Sequence, residues 1–218
     1  MIALDFQTRS NTPLRVLCLG AHSDDIEIGC GALVLHLLAR RRVELDWVVF
    51  SAAAAREREA RQSAALFLRG SARQRVAIHR FRDGFFPYDG GDIKNTFEEL
   101  KGEVDPDLIL THYRDDRHQD HRLLSELTWN TFRNHFILEY EIPKFDGDLG
   151  APNCFVPLRR SACMRKVKCL KTVFGTQRDK HWFSEETFMA LMRLRGMECH
   201  ATGGYAEAFY ARKLVIGT

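Results

Sequence analysis

The sequence predicts an α/β fold in a single domain, with a mostly parallel sheet and helices on both faces. Three observations carry that expectation. Short runs rich in valine, leucine and phenylalanine alternate in order with helix-period stretches. The chain has 218 residues, 45% of them hydrophobic and 28% charged, which is the composition of one ordinary globular unit. Its two densest polar clusters stand directly after predicted strands, where an open α/β sheet places its ligands.

The elements follow in order. Val16 to Gly20 (VLCLG) is short and wholly apolar, as a strand buried on both faces is. Ile28 to Arg42 carries apolar residues all round a helix, as a helix packed on a sheet does. Val43 to Ser51 is the second predicted strand, and Arg56 to Arg69 spaces its alanines and leucines among charges at helical intervals. Arg75 to Phe81 follows as a strand, Ile93 to Glu103 as a helix, Leu108 to His112 as a strand and Asp120 to Phe136 as a helix. Strands and crossovers in this alternation give parallel pairing with right-handed connections, a Rossmann-like arrangement. Glu139 to Pro157 is punctuated by Pro and Gly and reads as an irregular segment. Met164 to Phe174 and Ser184 to Arg195 read as helices, and Phe209 to Ile216 as a final strand. With no repeat or linker, residues 1–218 are expected to form one domain.

Composition also excludes. The apolar stretch from Gly29 to Ala39 is interrupted by His36 and ended by Arg40, Arg41 and Arg42, too short to span a bilayer. Met1 to Pro13 holds Asp5 and a polar run instead of a basic start and an apolar stretch, so it does not read as a secretory signal, and a cytoplasmic protein is expected. Six scattered cysteines without a CxxC pair fit reduced packing thiols. A net charge of +3 implies no nucleic-acid partner. Nothing marks an interface, so the oligomeric state, homo-oligomer included, stays open.

Ala21-His22-Ser23-Asp24-Asp25-Ile26-Glu27 follows the first strand and opens the first helix. Helix capping accounts for one or two of these polar residues, but not for His22, two aspartates and Glu27 together. Asp115-Asp116-Arg117-His118-Gln119-Asp120-His121-Arg122 follows the strand Leu108 to His112, so both clusters fall on one edge of the sheet. Converging strand ends would deliver His22 and Asp25 from one loop and a histidine from the other. Two nitrogens and an oxygen with positions left for water suit catalytic zinc and equally iron. The alternative is a solvated charged loop.

At both clusters the sequence resembles the PIG-L and LmbE-like zinc-dependent N-acetylglucosaminyl de-N-acetylases. AHSDDIEIGCG is similar to their AHPDDxExgcGG signature and HQDH to their HxDH motif, with further likeness at PDLILT, PNCFVPL and Tyr205-Ala206-Glu207-Ala208-Phe209. The resemblance implies a hydrolase that removes acetyl from an N-acetylated amino sugar or its conjugate. It also implies His22, Asp25 and His121 as metal ligands, usually for zinc, with Fe2+ or another divalent ion as alternatives. Asp24 is then the general base, His118 stabilises the oxyanion or donates a proton, and Asp120 orients His118 and keeps it protonated. Ser23 stands where the family has proline, and Ala52-Ala53-Ala54-Ala55 where it often has a Gly-rich loop.

Other residues carry two readings each. Glu27 is a helix-dipole acid or a support for a ligand. Gly29 and Gly31 lack a GxGxxG frame and read as close-packing positions. Arg56, with Glu59 three residues on, contacts substrate or forms a surface pair. Asp83 binds sugar hydroxyls or makes an Asp-Gly turn. Arg117, with Arg114, meets an anionic substrate or is solvated. Trp182 packs or covers a pocket. His36, His79, His135, His181 and His200 read as structural, and His112 is set apart from them by its place beside the second cluster. The rival functions are a deacylase of another small natural-product amide and a non-catalytic metal-binding module.

Overall fold

A computed structural model describes residues 12–215 of the chain. The first eleven residues, which include most of the segment read as lacking a secretory signal, and Ile216, the expected end of the last strand, lie outside the described residues.

In chain order the elements are β1 (Leu14–His22), α1 (Asp25–Leu38), β2 (Val43–Ser51), α2 (Ala55–Phe67), β3 (Arg73–Ile78), α3 (Gly90–Glu103), β4 (Leu108–His112), α4 (Gln119–Thr131), β5 (Phe136–Tyr140), β6 (Cys154–Leu158), α5 (Arg160–Val173), α6 (Glu185–Glu198) and β7 (Tyr205–Ala211). One seven-stranded sheet runs in the order β3-β2-β1-β4-β5-β7-β6. β1 to β5 are parallel, with registers such as Leu14 opposite Val43 and Val16 opposite Leu108, and β7 runs antiparallel to both of its neighbours.

β1 shows why the strands read as continuous apolar runs. Its Val16 and Cys18 enter one core with α1 and α5, while Leu17, Leu19 and Ala21 enter a second core with Phe97 of α3 and Leu124 of α4. A strand covered on both faces has no polar side to show. After β3 the chain crosses to the other side of β1, so β1 and β4 are neighbours whose following connections diverge. That is a topological switch point, and a crevice opens beyond the carboxyl ends of these two strands. No helix among the described residues is long and apolar enough to cross a membrane.

The parallel body matches expectation and the C-terminal third departs from it. The helix expected to run to Phe136 ends at Thr131, and Phe136–Tyr140 is β5, bonded to β4 along its length. No Gly or Pro marks that boundary, and a short, largely apolar run such as FILEY can serve as helix or strand. The segment expected to be irregular contains β6, whose Pro157 is tolerated because β6 is an edge strand. The last strand begins four residues earlier than expected, at Tyr205, because a charged residue, Glu207, is buried within it.

α1 is almost wholly buried, and it approaches its neighbours through two glycines. A Cβ on Gly29 would lie 2.1 Å from the Tyr140 ring, and one on Gly31 would lie 2.7 Å from Phe67. The Tyr140 hydroxyl donates to the Leu19 carbonyl at 2.6 Å, which fixes the ring in place. Alanine is the better helix former by about 1 kcal/mol, but overpacking against a pinned ring costs about 1–3 kcal/mol or more. Gly29→Ala is therefore expected to lower unfolding free energy in urea by about 2 kcal/mol; wild-type stability would show that α1 and β5 do not press together as described.

Candidate active site

β1 ends at His22 and β4 at His112, and the loops after them bring the two polar clusters together. His22 Nδ1 lies 3.2 Å from His121 Nε2 and 3.2 Å from Asp25 Oδ2, and His121 Nε2 lies 3.5 Å from the same oxygen. All three side chains are buried. Ligands bound at about 2.0–2.2 Å to one ion stand roughly 3–3.5 Å apart, so these three donors fit a single divalent cation. His118 also approaches His22 and His121, and Asp83, His118 and Asp120 form an overlapping group with His22.

Electrostatics favour a cation at this point. Burial alone would raise the Asp25 carboxyl, but the imidazoles of His121, His112 and His22 outweigh it and hold Asp25 well below its ordinary range. Burial and neighbouring His112 push His121 down to about 3, leaving it neutral as a metal ligand must be. At His22, burial is overcome by the charge of Asp25 and by Asp120, so the ring is driven well above its ordinary value. A field that retains a proton on a buried imidazole is one that receives a positive ion.

Asp24 sits at the N-cap of α1 yet makes no capping hydrogen bond. Its Oδ1 instead lies 3.2 Å from Arg56 Nη2, and the same guanidinium donates to Ser23 Oγ at 3.0 Å and to Asp83 Oδ2 at 2.9 Å. Burial and the adjacent Asp25 raise the Asp24 carboxyl above its ordinary value. Arg56 thus faces the site and pairs with none of its own helix there. Asp83 is about half exposed, with Oδ1 3.1 Å from His22 Nε2, and the His22 ring holds its carboxyl below the usual range. Arg117 is exposed, and its backbone amide donates to Asp148 Oδ2 at 2.7 Å.

Asp120 is placed differently from expectation. Its carboxylate does not hold the His118 ring. Oδ2 lies 3.2 Å from His22 Nε2 and accepts from the Gly84 amide at 2.7 Å, while Oδ1 accepts from the Phe86 amide at 3.1 Å. His118 is oriented by the backbone instead: it caps α4, its Nδ1 accepting from the Asp120 amide at 3.3 Å. Burial and His22 lower the His118 ring below its ordinary value, and Nδ1, as the acceptor from that amide, leaves Nε2 as the nitrogen that carries the proton of a neutral ring. Both carboxylate oxygens of Asp120 are already taken by the Gly84 and Phe86 amides and by His22, which leaves the His118 ring to the backbone.

Three supporting residues were given no site role from the sequence. Asp116 is buried and accepts from the His118 amide at 2.8 Å through Oδ1, while its Oδ2 holds His121 Nδ1 at 2.9 Å and Lys144 at 2.9 Å. A carboxylate on the remote nitrogen fixes the tautomer that presents Nε2. His112 stacks on His121 at 3.9 Å and lies 3.2 Å from Asp25 Oδ2. Asp116 was visible as a member of the second cluster and His112 as the histidine beside it, whereas Lys144 gave no signal. Glu27, in the first turn of α1, is wholly buried, and burial pushes its carboxyl up to about 8. Trp182 lies partly buried against the core, beside Lys180 and Phe145.

Two outcomes follow. Ala54, just before α2, has φ 48° and ψ −109°, a conformation costly for any residue with a Cβ; Ala54→Gly is expected to raise unfolding free energy by about 0.5–1 kcal/mol, and a loss would show that the loop is unstrained. The chelator-treated protein is expected to take up one Zn2+, and a single site at a hundredfold excess over its Kd adds about 2.7 kcal/mol of stability. Calorimetric titration should find that uptake weakened at least about tenfold in His121→Ala; equal uptake by the variant would place the ion elsewhere.

The sequence matches the profile of the GlcNAc-PI de-N-acetylase (PIG-L) family over residues 17–132, a stretch that holds both clusters. Curated protein sequences give no significant match. Among solved structures, N,N'-diacetylchitobiose deacetylase from Pyrococcus horikoshii superposes with a TM-score of 0.67 at 20% identity, covering 91% of this chain and 83% of that one. The A40926 pseudoaglycone deacetylase superposes with a TM-score of 0.68 at 18% identity, covering 94% and 100%. GalB, the 4-carboxy-2-hydroxymuconate hydratase of Pseudomonas putida KT2440, superposes with a TM-score of 0.69 at 17% identity, covering 94% and 98%. These likenesses show a shared α/β fold, and a hydratase among them means that the fold alone does not fix the reaction. The match across β1 to α4 does identify the lineage: the chain belongs to the GlcNAc-PI de-N-acetylase family.

Proposed function

We propose that the protein is a metal-dependent hydrolase that removes the N-acetyl group from an N-acetylated amino sugar or its conjugate, with the whole chain acting as one domain. The observation that carries this reading is the triangle of His22 Nδ1, Asp25 Oδ2 and His121 Nε2, with sides of 3.2, 3.2 and 3.5 Å, set beside a buried carboxylate, Asp24. Family membership favours an amide as the bond attacked. The sugar rests on the family and on the deacetylases that share the fold.

His22, Asp25 and His121 would hold the ion, zinc being the expected metal. A divalent ion so held supplies Lewis-acid polarisation of an acyl carbonyl and a more acidic water. Asp24, with a raised carboxyl pKa and an orientation fixed by Arg56, takes a proton from the attacking water as its oxygen bonds to the carbonyl carbon. His118, neutral and protonated on Nε2, donates a hydrogen bond to the oxyanion that develops. The C–N bond then breaks, the leaving nitrogen receives the proton carried by Asp24, and acetate and the free amine result. Asp120 acts in this scheme by fixing His22 and the turn at Gly84 and Phe86. Arg56 positions Asp24, Asp83 offers an exposed carboxylate oxygen to a sugar hydroxyl, and Arg117 stands free to meet an anionic conjugate.

Asp24→Asn separates this reading from that of a metal-binding module. Acetate release from N-acetylglucosaminides by the zinc-loaded protein is expected to fall by about 10²–10⁴ while zinc content stays at one per chain. Wild-type acetate release by that variant would remove Asp24 as the base, and no release by the zinc-loaded wild type from free, nucleotide-linked or lipid-linked N-acetylhexosamines would overturn the substrate class.

A further inference from the structure

Within two turns of the site along α1, two charges are buried in the core. Lys166 of α5 and Glu207 of β7 are each 3% exposed, and Lys166 Nζ lies 2.6 Å from Glu207 Oε1. The pair does more than neutralise itself. Glu207 Oε1 accepts from the Ala32 amide at 2.9 Å and Oε2 from the Leu33 amide at 2.6 Å, while Lys166 donates to the Ile28 carbonyl at 2.5 Å. In an undisturbed helix the Ala32 and Leu33 amides belong to the carbonyls of Ile28 and Gly29. Here an ammonium holds the carbonyl side of that rung and a carboxylate the amide side, so α1 is gripped at a fixed point along its length.

The place of the wedge matters. Ile28 closes the turn that opens at Asp25, and its own amide bonds to the Asp24 carbonyl at 3.0 Å. Gly29, next in the same segment, is pressed on Tyr140. We propose that Lys166 and Glu207 are positioning residues that set the direction of the first turn of α1, and with it the approach of Asp24 and Asp25 to the two motif histidines. Burying an ion pair gives little net stability against an apolar pair of equal size, so a pair whose every oxygen meets α1 or Lys166 acts through geometry. The proposal rests on the site residues argued above, and its test contains a readout that does not depend on them.

Three variants decide it: Glu207→Gln, Lys166→Met, and the double variant Lys166→Met with Glu207→Leu, which strands no charge and keeps a folded protein available. In the metal-free proteins, amide hydrogen exchange across residues 25–33 is expected to quicken at least about tenfold relative to the rest of the sheet, and in the zinc titration Kd should weaken by about tenfold. The double variant should regain most of the melting temperature without regaining either property. Variants that lose only melting temperature, with exchange and zinc Kd as in wild type, would overturn the proposal and leave the pair as core filling. Should the wild type bind no zinc, the metal reading fails by itself, and the exchange profile alone decides whether the pair sets the turn.

Discussion

Asp25 Oδ2 accepts the amide of His22 at 2.6 Å and faces imidazole nitrogens of His22, His112 and His121 at 3.2, 3.2 and 3.5 Å. A buried carboxylate is costly unless positive charge stands beside it, and imidazoles this close to one another repel once they are protonated. The arrangement is settled by one shared cation or by protons divided among the rings. The depressed His121 and the elevated His22 are two sides of that constraint.

Much of the remaining architecture keeps those atoms together. β1 and β4 are adjacent in the sheet, so the switch point brings His22 and His112 to the same end of it, His112 Nε2 accepting from the Ala21 amide at 3.0 Å. α4 starts in the crevice because His118 caps it, and Asp116 ties that cap to His121 and Lys144. The turn at Gly84 and Phe86 clasps Asp120 through two amides, which aligns the carboxylate on His22. Arg56 reaches across from α2 to Asp24, whose carboxyl pKa is raised. The division between Asp24 and Asp25, adjacent residues driven in opposite directions, is the sort of splitting that separates acid–base work from ligation.

The parallel half of the fold was legible in the sequence because its strands are apolar runs bounded by charged helices, and the site was legible because each cluster is local, four or more polar residues directly after a strand. What escaped depends on partners far away in the chain. Asp120 reads as a neighbour of His118, yet its carboxylate is claimed by amides 34 and 36 residues earlier. Lys144 lies in a Pro- and Gly-rich stretch and finds Asp116 only once β5 has run alongside β4. β5 carries a glutamate amid apolar residues and has no stop signal before it, and β6 carries a proline that only an edge strand accommodates. Glu207 stands in a stretch that resembles the family, but its partner Lys166 lies 41 residues away.

X-ray absorption at the zinc edge of the loaded protein tests the central claim most directly. The account predicts a first shell of nitrogen and oxygen at about 2.0–2.1 Å with the outer-shell scattering of two imidazoles, reduced to one in His22→Ala. A shell with no imidazole scattering, or one unchanged by that substitution, would contradict it.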